Sequence, residues 1–195
     1  MHLLNRADSA LMIIDLQEEF YPIARRDVHR ATLARVVDNA AWLAGVASAL
    51  EIPVIVTEED PAGNGPTERV ILDALEPSAQ VLPKTSFGVA GEPRILEALR
   101  ATGKETVVLA GAETDVCVGH SALGLQALGF RVVVVSDATF SPGEAHDHGE
   151  RRLAARGIEL VAAKGVYYDW LPRLEETRAF RQANPALGHP RHFNL

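Results

Sequence analysis

Short apolar runs alternate with longer amphipathic segments along this chain. The apolar runs predict strands at 10–14, 53–57, 81–82, 106–110, 131–136 and 158–162. The amphipathic segments, with apolar residues at three- and four-residue steps, predict helices at 29–50, 93–102, 116–128, 144–156 and 168–180. Because the strands are apolar nearly throughout, they are typical of a parallel sheet covered on both faces. The pattern therefore predicts an α/β fold: a Rossmann-type three-layer sandwich with a mostly parallel six-stranded sheet and helices on both faces.

The length and the loss of periodicity near the end define the expected domain organisation. A chain of 195 residues is of a size for one domain, which we place at 1–183. The last residues, 184–195, show no hydrophobic periodicity. They are expected to be a C-terminal tail or arm, either disordered or packed on a neighbouring subunit, and disorder is the usual state of a terminus.

Composition and charge narrow the possible partners. The chain is 47% hydrophobic and 23% charged, as expected for a globular protein, and its formal net charge is −7. A nucleic-acid binder would usually have a basic patch, so no nucleic-acid partner is expected. No apolar run approaches the roughly 18 residues of a membrane span, so no membrane partner is expected either. The one cysteine excludes an internal disulfide and favours a reducing, cytoplasmic setting.

That cysteine, Cys117, lies where a predicted strand passes into the N-terminus of a predicted helix. Free backbone N–H groups and the positive end of the helix dipole collect there. We therefore expect the pKa of the thiol to fall below its free value of about 8.5, which would make Cys117 a nucleophile. The alternative is a buried structural cysteine, because free cysteine is among the most buried residue types.

Two charged residues directly follow other apolar runs. Asp15 comes after the first predicted strand, and Lys84 comes after the third. Since the carboxyl ends of parallel strands share one edge of a sheet, Asp15, Lys84 and Cys117 are expected to converge there. A carboxylate, an ammonium and a thiol make a complete nucleophilic set. The alternatives are a helix-capping or turn role for Asp15 and a solvated loop position for Lys84.

Four segments resemble the isochorismatase-like cysteine hydrolases, a family that includes nicotinamidases, N-carbamoylsarcosine amidases and ureidoacrylate-type amidohydrolases. They are IIDLQ at 13–17 with Phe20, LPKTSF at 82–87, AGAETDVCV at 110–118 and VSDAT at 135–139. The resemblance implies that Asp15, Lys84 and Cys117 are the catalytic triad. It also implies an oxyanion hole in which the N–H of Glu113 joins that of Cys117, and a cis peptide bond between Ala112 and Glu113.

The loop after the second strand departs from the nicotinamidase pattern. In nicotinamidases this loop provides an Asp and several His to a zinc-type site, but here residues 57–64 contain three carboxylates and no histidine. His146 and His148 are two apart on a predicted helix and point in different directions. No metal and no other cofactor are therefore expected. The carboxylates could hold Mg²⁺, although a solvated acidic loop is their more common state.

Four residues close to the triad in the sequence motifs are predicted to line the substrate-binding pocket. They are Phe20, Asn64, Phe87 and Val116. Phe20 and Phe87 could stack on a planar amide or could serve only in core packing, since aromatic side chains do both. Arg25 and Arg26 could meet a carboxylate on the substrate or form an exposed pair at the start of a helix.

The sequence predicts a metal-independent cysteine amidohydrolase that cleaves a C–N bond of a small carboxamide or ureido substrate through a thioester. One alternative is an isochorismatase that cleaves a vinyl ether, which needs no thiol. Another is a non-hydrolytic thiol, redox or scaffold protein. The family resemblance and the small residues Gly119, Ala122 and Gly124 further predict a homo-oligomer, with this helix or the C-terminal arm near the contact.

Overall fold

The computed structural model describes residues 3–190 and Phe193. Strands and helices alternate along the chain, as the apolar pattern predicts. The strands are β1 (Ser9–Ile14), β2 (Val54–Glu59), β3 (Gln80–Lys84), β4 (Thr106–Ala112), β5 (Arg131–Phe140) and β6 (Glu159–Val161). The helices are α1 (Arg30–Ala49), α2 (Pro61–Asn64), α3 (Arg69–Leu72), α4 (Pro93–Ala101), α5 (Cys117–Ala127), α6 (Ala145–Ala155), α7 (Ala163–Trp170) and α8 (Leu174–Ala183).

The six strands form one sheet in the order β3-β2-β1-β4-β5-β6, and every neighbouring pair is parallel. The central strand β1 is fully buried. Pro83 lies in the edge strand β3, where a missing N–H costs no hydrogen bond on the open side. The predicted α/β fold is confirmed, and the sheet is entirely parallel.

Two apolar cores cover the faces of this sheet. On one face, α1 and α7 pack against alternate strand residues such as Leu11, Ile13 and Val56. On the other face, α4, α5 and α6 pack against the intervening residues, including Met12 and Leu109. Adjacent residues of one strand therefore enter different cores, which explains why the strands are apolar throughout. Among the described residues, no helix is both long and apolar enough to cross a membrane.

The prediction of a single helix at 168–180 is wrong. Two helices, α7 and α8, occupy this region, and they are separated at Pro172. Leu171, the residue before proline, has φ −129° and ψ 66°, outside the helical region. The proline ring clashes with a helical conformation of the preceding residue, which ends α7 there.

Residues in the described part of the predicted tail contact their own chain. The Phe193 ring lies 5.1 Å from the Trp42 ring of α1, and Phe193 is buried. Leu187 packs so closely on Gly45 of α1 that a methyl group there would overlap its side chain. The rest of the predicted tail lies outside the described residues.

The small residues of α5 are used inside the fold. Ala122 is fully buried in the second core, and Gly124 contacts Ala90 so closely that a methyl group could not be added. Gly119 approaches the carbonyl oxygen of Thr114 in the same way. These small residues therefore serve packing within their own chain, and a subunit contact near this helix or the C-terminal arm stays a prediction.

Candidate active site

The carboxyl edge of the sheet brings Asp15, Lys84 and Cys117 together. Asp15 directly follows β1, Lys84 ends β3, and Cys117 begins α5 just after β4. The side chains of Asp15 and Lys84 have no exposed area, and Cys117 is 2% exposed. The sequence predicted this convergence from the position of each residue after an apolar run.

Asp15 is held as the buried partner of Lys84. The Lys84 Nζ lies 2.7 Å from Asp15 Oδ2, and the Thr57 hydroxyl donates to Oδ1 at 2.8 Å. The Asp15 N–H donates to the Thr57 carbonyl, and Asp15 has φ 50°, a left-handed conformation that aspartate tolerates better than most residues. Burial raises the pKa of Asp15 to about 6, against the opposing effects of Lys84, Thr57 and the Cys117 thiol.

The Lys84 ammonium is surrounded by hydrogen-bond acceptors. Its Nζ donates to the Ser86 carbonyl at 3.1 Å and to Cys117 Sγ at 3.6 Å. Burial alone would favour the neutral amine, but the charges of Asp15, Cys117 and Glu59 and the Asp15 hydrogen bond raise the pKa of Lys84 above its ordinary value. Lys84 is therefore an ammonium at neutral pH.

The expectation that Cys117 has a lowered pKa is wrong. Burial raises the pKa of the thiol well above its ordinary value, and the negative charges of Asp15 and Glu59 raise it further. Lys84 acts in the opposite direction, but its effect is smaller. The prediction counted the helix N-terminus and did not include the two carboxylates and the loss of water around the sulfur. Cys117 is therefore a thiol in the resting protein.

Glu59 is a fourth member of this cluster that the sequence did not single out. The Cys117 thiol donates to Glu59 Oε2 at 3.3 Å, and Lys84 Nζ lies 3.7 Å from the same oxygen. Glu59 was expected in a solvated acidic loop, but β2 extends two residues beyond its apolar run and carries Glu59 to the sheet edge. The apolar run ends at Thr57 and Glu58 directly follows it, so the signal that identified Asp15 does not single out Glu59.

Asp15, Glu59 and Cys117 are also the groups in the described part of the chain that come close enough to bind a metal ion. Their potential ligand atoms all lie within 4.8 Å of one another, and no histidine belongs to the set. The Lys84 ammonium contacts all three groups. A dication at this position would face that buried positive charge, so Lys84 already fills the electrostatic role of a cation.

We therefore expect hydrolysis to be independent of added or removed metal. Exhaustive dialysis against a chelator should leave turnover unchanged, because Lys84 already places a positive charge among the carboxylates and, among the described residues, no histidine completes a zinc-type ligand set. Turnover of chelated and untreated protein, measured side by side, checks this. Loss of turnover that Zn²⁺ or Mn²⁺ restores would contradict it.

The turn between β4 and α5 leaves two donors unused. The peptide bond between Ala112 and Glu113 is cis. The Glu113 carbonyl accepts from the N–H groups of Val116 and Val118, whereas the N–H groups of Glu113 and Cys117 have no protein acceptor within residues 3–190 and 193. Gly111 precedes this turn with φ 135°, and any side chain there would overlap the Ile14 carbonyl oxygen. The chain therefore passes close to β1 only because residue 111 is glycine.

The four predicted substrate contacts differ in their burial and in their neighbours. Val116 is half-buried and directly precedes α5, while Asn64 donates to the Glu59 carbonyl at 2.9 Å. Phe87 is 52% exposed and packs its edge on His120, and Phe20 packs against Tyr21 in the first core. Asn64 therefore contacts the Glu59 backbone, and substrate contact by Phe20, Asn64, Phe87 and Val116 stays a prediction.

Arg25 is engaged within the protein. Its guanidinium pairs with Asp27 at 3.1 Å and lies 3.6 Å from Glu113 Oε1, over the Tyr21 ring. Tyr21 OH donates to the same Glu113 oxygen at 3.4 Å. Arg25 therefore already balances two carboxylates of its own chain, while Arg26 is exposed.

A separate cavity of about 550 Å³ lies between α1, the end of β5 and the start of α6. Asn39, Asp137, Ser141 and His146 are among its lining residues, and none of the residues around the thiol is. We place the candidate active site at Cys117, because the nucleophile, the ammonium and the carboxylates meet there.

Comparison with known proteins identifies the family of this chain. The Isochorismatase domain model matches residues 9–164. Isochorismatase domain-containing protein 2 of Danio rerio is 30% identical over 190 residues, which cover 96% of this chain and 90% of that protein.

Solved structures share the fold over nearly the whole chain. The MAR1 ribonuclease of Caenorhabditis elegans has a TM-score of 0.82 at 24% identity, covering 99% of this chain and 98% of that one. YcaC of Escherichia coli, described as an octameric hydrolase of unknown specificity, has a TM-score of 0.79 at 23% identity, covering 95% and 92%. YcaC of Pseudomonas aeruginosa, solved with covalent acrylamide, has a TM-score of 0.79 at 25% identity, covering 95% and 93%. The family match, the curated relative and the shared fold agree, and this chain belongs to the isochorismatase domain family of hydrolases.

Proposed function

We propose that this protein is a cysteine amidohydrolase that cleaves the C–N bond of a small carboxamide or ureido compound through a Cys117 thioester. The observation on which this proposal depends is the buried contact of one thiol with an ammonium and two carboxylates. An ordinary structural cysteine has no need of such neighbours. This is the arrangement in which a nucleophile and its proton acceptor act together.

In the first step the thiol loses its proton as its sulfur attacks the carbonyl carbon. Because burial and the carboxylates hold the proton on Cys117 at rest, transfer must accompany attack. Asp15 is the proposed acceptor, since its pKa of about 6 lies near a neutral operating pH and one of its carboxylate oxygens lies within 4.8 Å of the Cys117 sulfur. Lys84 stabilises the sulfur as negative charge develops on it.

The tetrahedral intermediate needs donors that are already in place. The N–H groups of Glu113 and Cys117 have no acceptor in the described chain, which makes them available for an oxyanion. Collapse then breaks the C–N bond, and the amine leaves with the proton held by Asp15. Water attacks the thioester, Asp15 accepts a proton from that water, and the proton returns to the Cys117 sulfur as the acid is released.

Two other functions fit the site less well. A vinyl ether hydrolase needs no thiol, so the contacts of Cys117 with Asp15, Glu59 and Lys84 would have no purpose. A redox or scaffold protein would have no use for the buried pair of Asp15 and Lys84, which is costly to bury.

The proposal is tested by measuring ammonia release from a panel of primary carboxamides and ureido compounds. We expect at least one class to be hydrolysed by the wild-type protein and none by a Cys117→Ala variant purified in parallel. Release at equal rates by both proteins, or by neither across the panel, would count against the proposal.

We expect a pH dependence set by Asp15. Since the proposed acceptor must be ionised, kcat/KM should fall as the pH drops through about 6, where Asp15 takes up a proton. A pH–rate profile between pH 4.5 and 8 measures this. A profile that stays flat down to pH 4.5 would show that Asp15 is not the group that accepts the proton.

We also infer a homo-oligomer, by analogy with the octameric Escherichia coli YcaC. Exposed apolar side chains on several elements offer area for subunit contact, among them Ile23, Phe87 and Leu174. Light scattering at micromolar concentration should give a mass at least twice that of the 21.1 kDa chain. A monomeric mass would contradict this inference.

A further inference from the structure

Glu59 is the most solvent-exposed of the charged groups around the thiol. Its side chain is 22% exposed, whereas the side chains of Asp15 and Lys84 have no exposed area and Cys117 is 2% exposed. Its Oε2 is 3.3 Å from the sulfur. A molecule that reaches Cys117 from solvent therefore passes beside this carboxylate, and a group bonded to the attacked carbonyl carbon must lie near it.

The Glu59 backbone is fixed in place. The Gln17 side chain accepts the Glu59 N–H at 2.8 Å and donates to the Glu59 carbonyl at 3.1 Å, so one amide holds both backbone groups. Asn64 donates to the same carbonyl, and Gln17 is itself buried and bonded to the Gly65 carbonyl. A side chain on such a fixed backbone can set selectivity, because little ordering is lost when a ligand binds.

The surroundings of Glu59 are acidic. Asp15 and Glu59 contribute two negative charges against the single Lys84 cation, and the uncharged thiol adds none, so these groups together have a net charge of −1. Glu113 lies close enough for the Glu59 charge to help raise its pKa, and its Arg25 partner is shared with Asp27. Arg25 is therefore already balanced by two carboxylates of its own chain.

We propose that Glu59 is a specificity-determining residue that selects substrates with a neutral or cationic N–H-bearing group next to the scissile carbonyl. Ureido compounds and amine-bearing carboxamides have such a group, and its N–H can donate to Glu59. A carboxylate in the same place would face like charge in a poorly solvated site. The substrate class rests on the proposed function, whereas the charge selection concerns only how a molecule approaches the Cys117 sulfur.

The test uses three methanethiosulfonate reagents with the intact protein: a neutral methyl, a cationic aminoethyl and an anionic sulfonatoethyl compound. In each case the Cys117 thiolate attacks the reagent's sulfur, a disulfide forms, and methanesulfinate leaves. The rates are compared for wild type, Glu59→Gln and the matched control Glu175→Gln, which removes the same charge at an exposed position on α8. Because all three reagents depend on the same thiolate fraction, the cationic-to-anionic rate ratio reports selectivity without the thiol pKa.

We expect wild type and Glu175→Gln to favour the cationic over the anionic reagent by about tenfold or more relative to free cysteine, since charged clefts raise the local concentration of opposite charges. In Glu59→Gln this preference should fall about tenfold. The neutral reagent should react faster than with wild type, because the Glu59 charge no longer raises the pKa of the Cys117 thiol. Added salt should weaken the wild-type preference.

An unchanged ratio in Glu59→Gln would overturn the proposal. Failure of all three reagents to modify any of the proteins would also overturn it, because Glu59 would then not lie on an open path to the sulfur. If the ratio changes as expected but no amide is hydrolysed in the panel, the proposed function fails and the charge selection stands. If amides are hydrolysed but the ratio is unchanged, the charge selection fails and the proposed function stands.

Discussion

Replacing Cys117 with alanine is expected to lower kcat/KM for any accepted amide by about a thousandfold or more, because the whole covalent route depends on one sulfur atom. Serine at the same position should lose nearly as much. A hydroxyl can replace the hydrogen bond to Glu59, but its proton is held far more tightly than that of a thiol in this buried site. Steady-state kinetics on both variants measure the loss.

The fold should survive these substitutions. Cys117 is packed in the second apolar core, and exchange for serine or alanine removes or changes one atom, so the free energy of unfolding should shift by about 1–2 kcal/mol. Denaturant unfolding of each variant provides the control. Activity retained by both variants within tenfold of wild type would show that Cys117 is a structural cysteine.

Replacing Lys84 with methionine is expected to inactivate the protein and to lower its free energy of unfolding by about 3–5 kcal/mol at pH 8. The side chain of Asp15 has no exposed area, and Lys84 Nζ is 2.7 Å from it. Methionine fills a similar volume but leaves the Asp15 carboxylate buried without its counter-charge. Loss of the ammonium also removes the group that stabilises developing charge on Cys117.

The instability should depend on pH in a defined direction. The pKa of Asp15 is about 6 in the folded protein against 3.8 as its ordinary value, so the folded state holds this proton more tightly than the unfolded state. For such a group, stability is greatest at low pH and is lost as the pH rises through the folded pKa. Removing Lys84 raises that pKa further, so the deficit of Lys84→Met should be small near pH 5 and full at pH 8.

A double variant separates the stability contributed by the interaction of Asp15 with Lys84 from the effect of each residue alone. In Asp15→Asn with Lys84→Met no buried charge remains, and we expect much of the stability lost by Lys84→Met at pH 8 to return. Urea unfolding of wild type, both single variants and the double variant at pH 5 and pH 8 completes the cycle. A Lys84→Met protein as stable as wild type at pH 8 would contradict the account of a buried ion pair.

The sequence was most informative where periodicity and chain order determine structure. Apolar runs without alternation predicted strands buried on both faces, and the parallel sheet follows from them. Since the carboxyl ends of such strands share one edge, the positions of Asp15, Lys84 and Cys117 after their runs predicted that they would meet. The structure brings them together, with Asp15 and Lys84 in direct contact.

The features that the sequence did not predict depend on residues from several elements that meet only in the folded protein. The pKa of Cys117 is set by burial and by charges from β1, β2 and β3, which a local view of one helix terminus cannot include. Glu59 lies on a strand that continues into polar residues, and hydropathy does not distinguish this from a loop. Pro172 gave a sequence signal for the break between α7 and α8, because proline disfavours a helical conformation of the residue before it. The prediction of one helix gave more weight to the helical periodicity on both sides of Pro172.

The central claim is that hydrolysis passes through a thioester on Cys117, and trapping that thioester tests it most directly. Wild-type protein turning over an accepted amide is quenched in acid, and the mass of the peptide that contains residue 117 is measured. We expect this peptide to gain the mass of the substrate acyl group without its amine, and to lose it on treatment with hydroxylamine. Rapid turnover with the acyl group on another residue, or the same turnover in Cys117→Ser, would contradict the account.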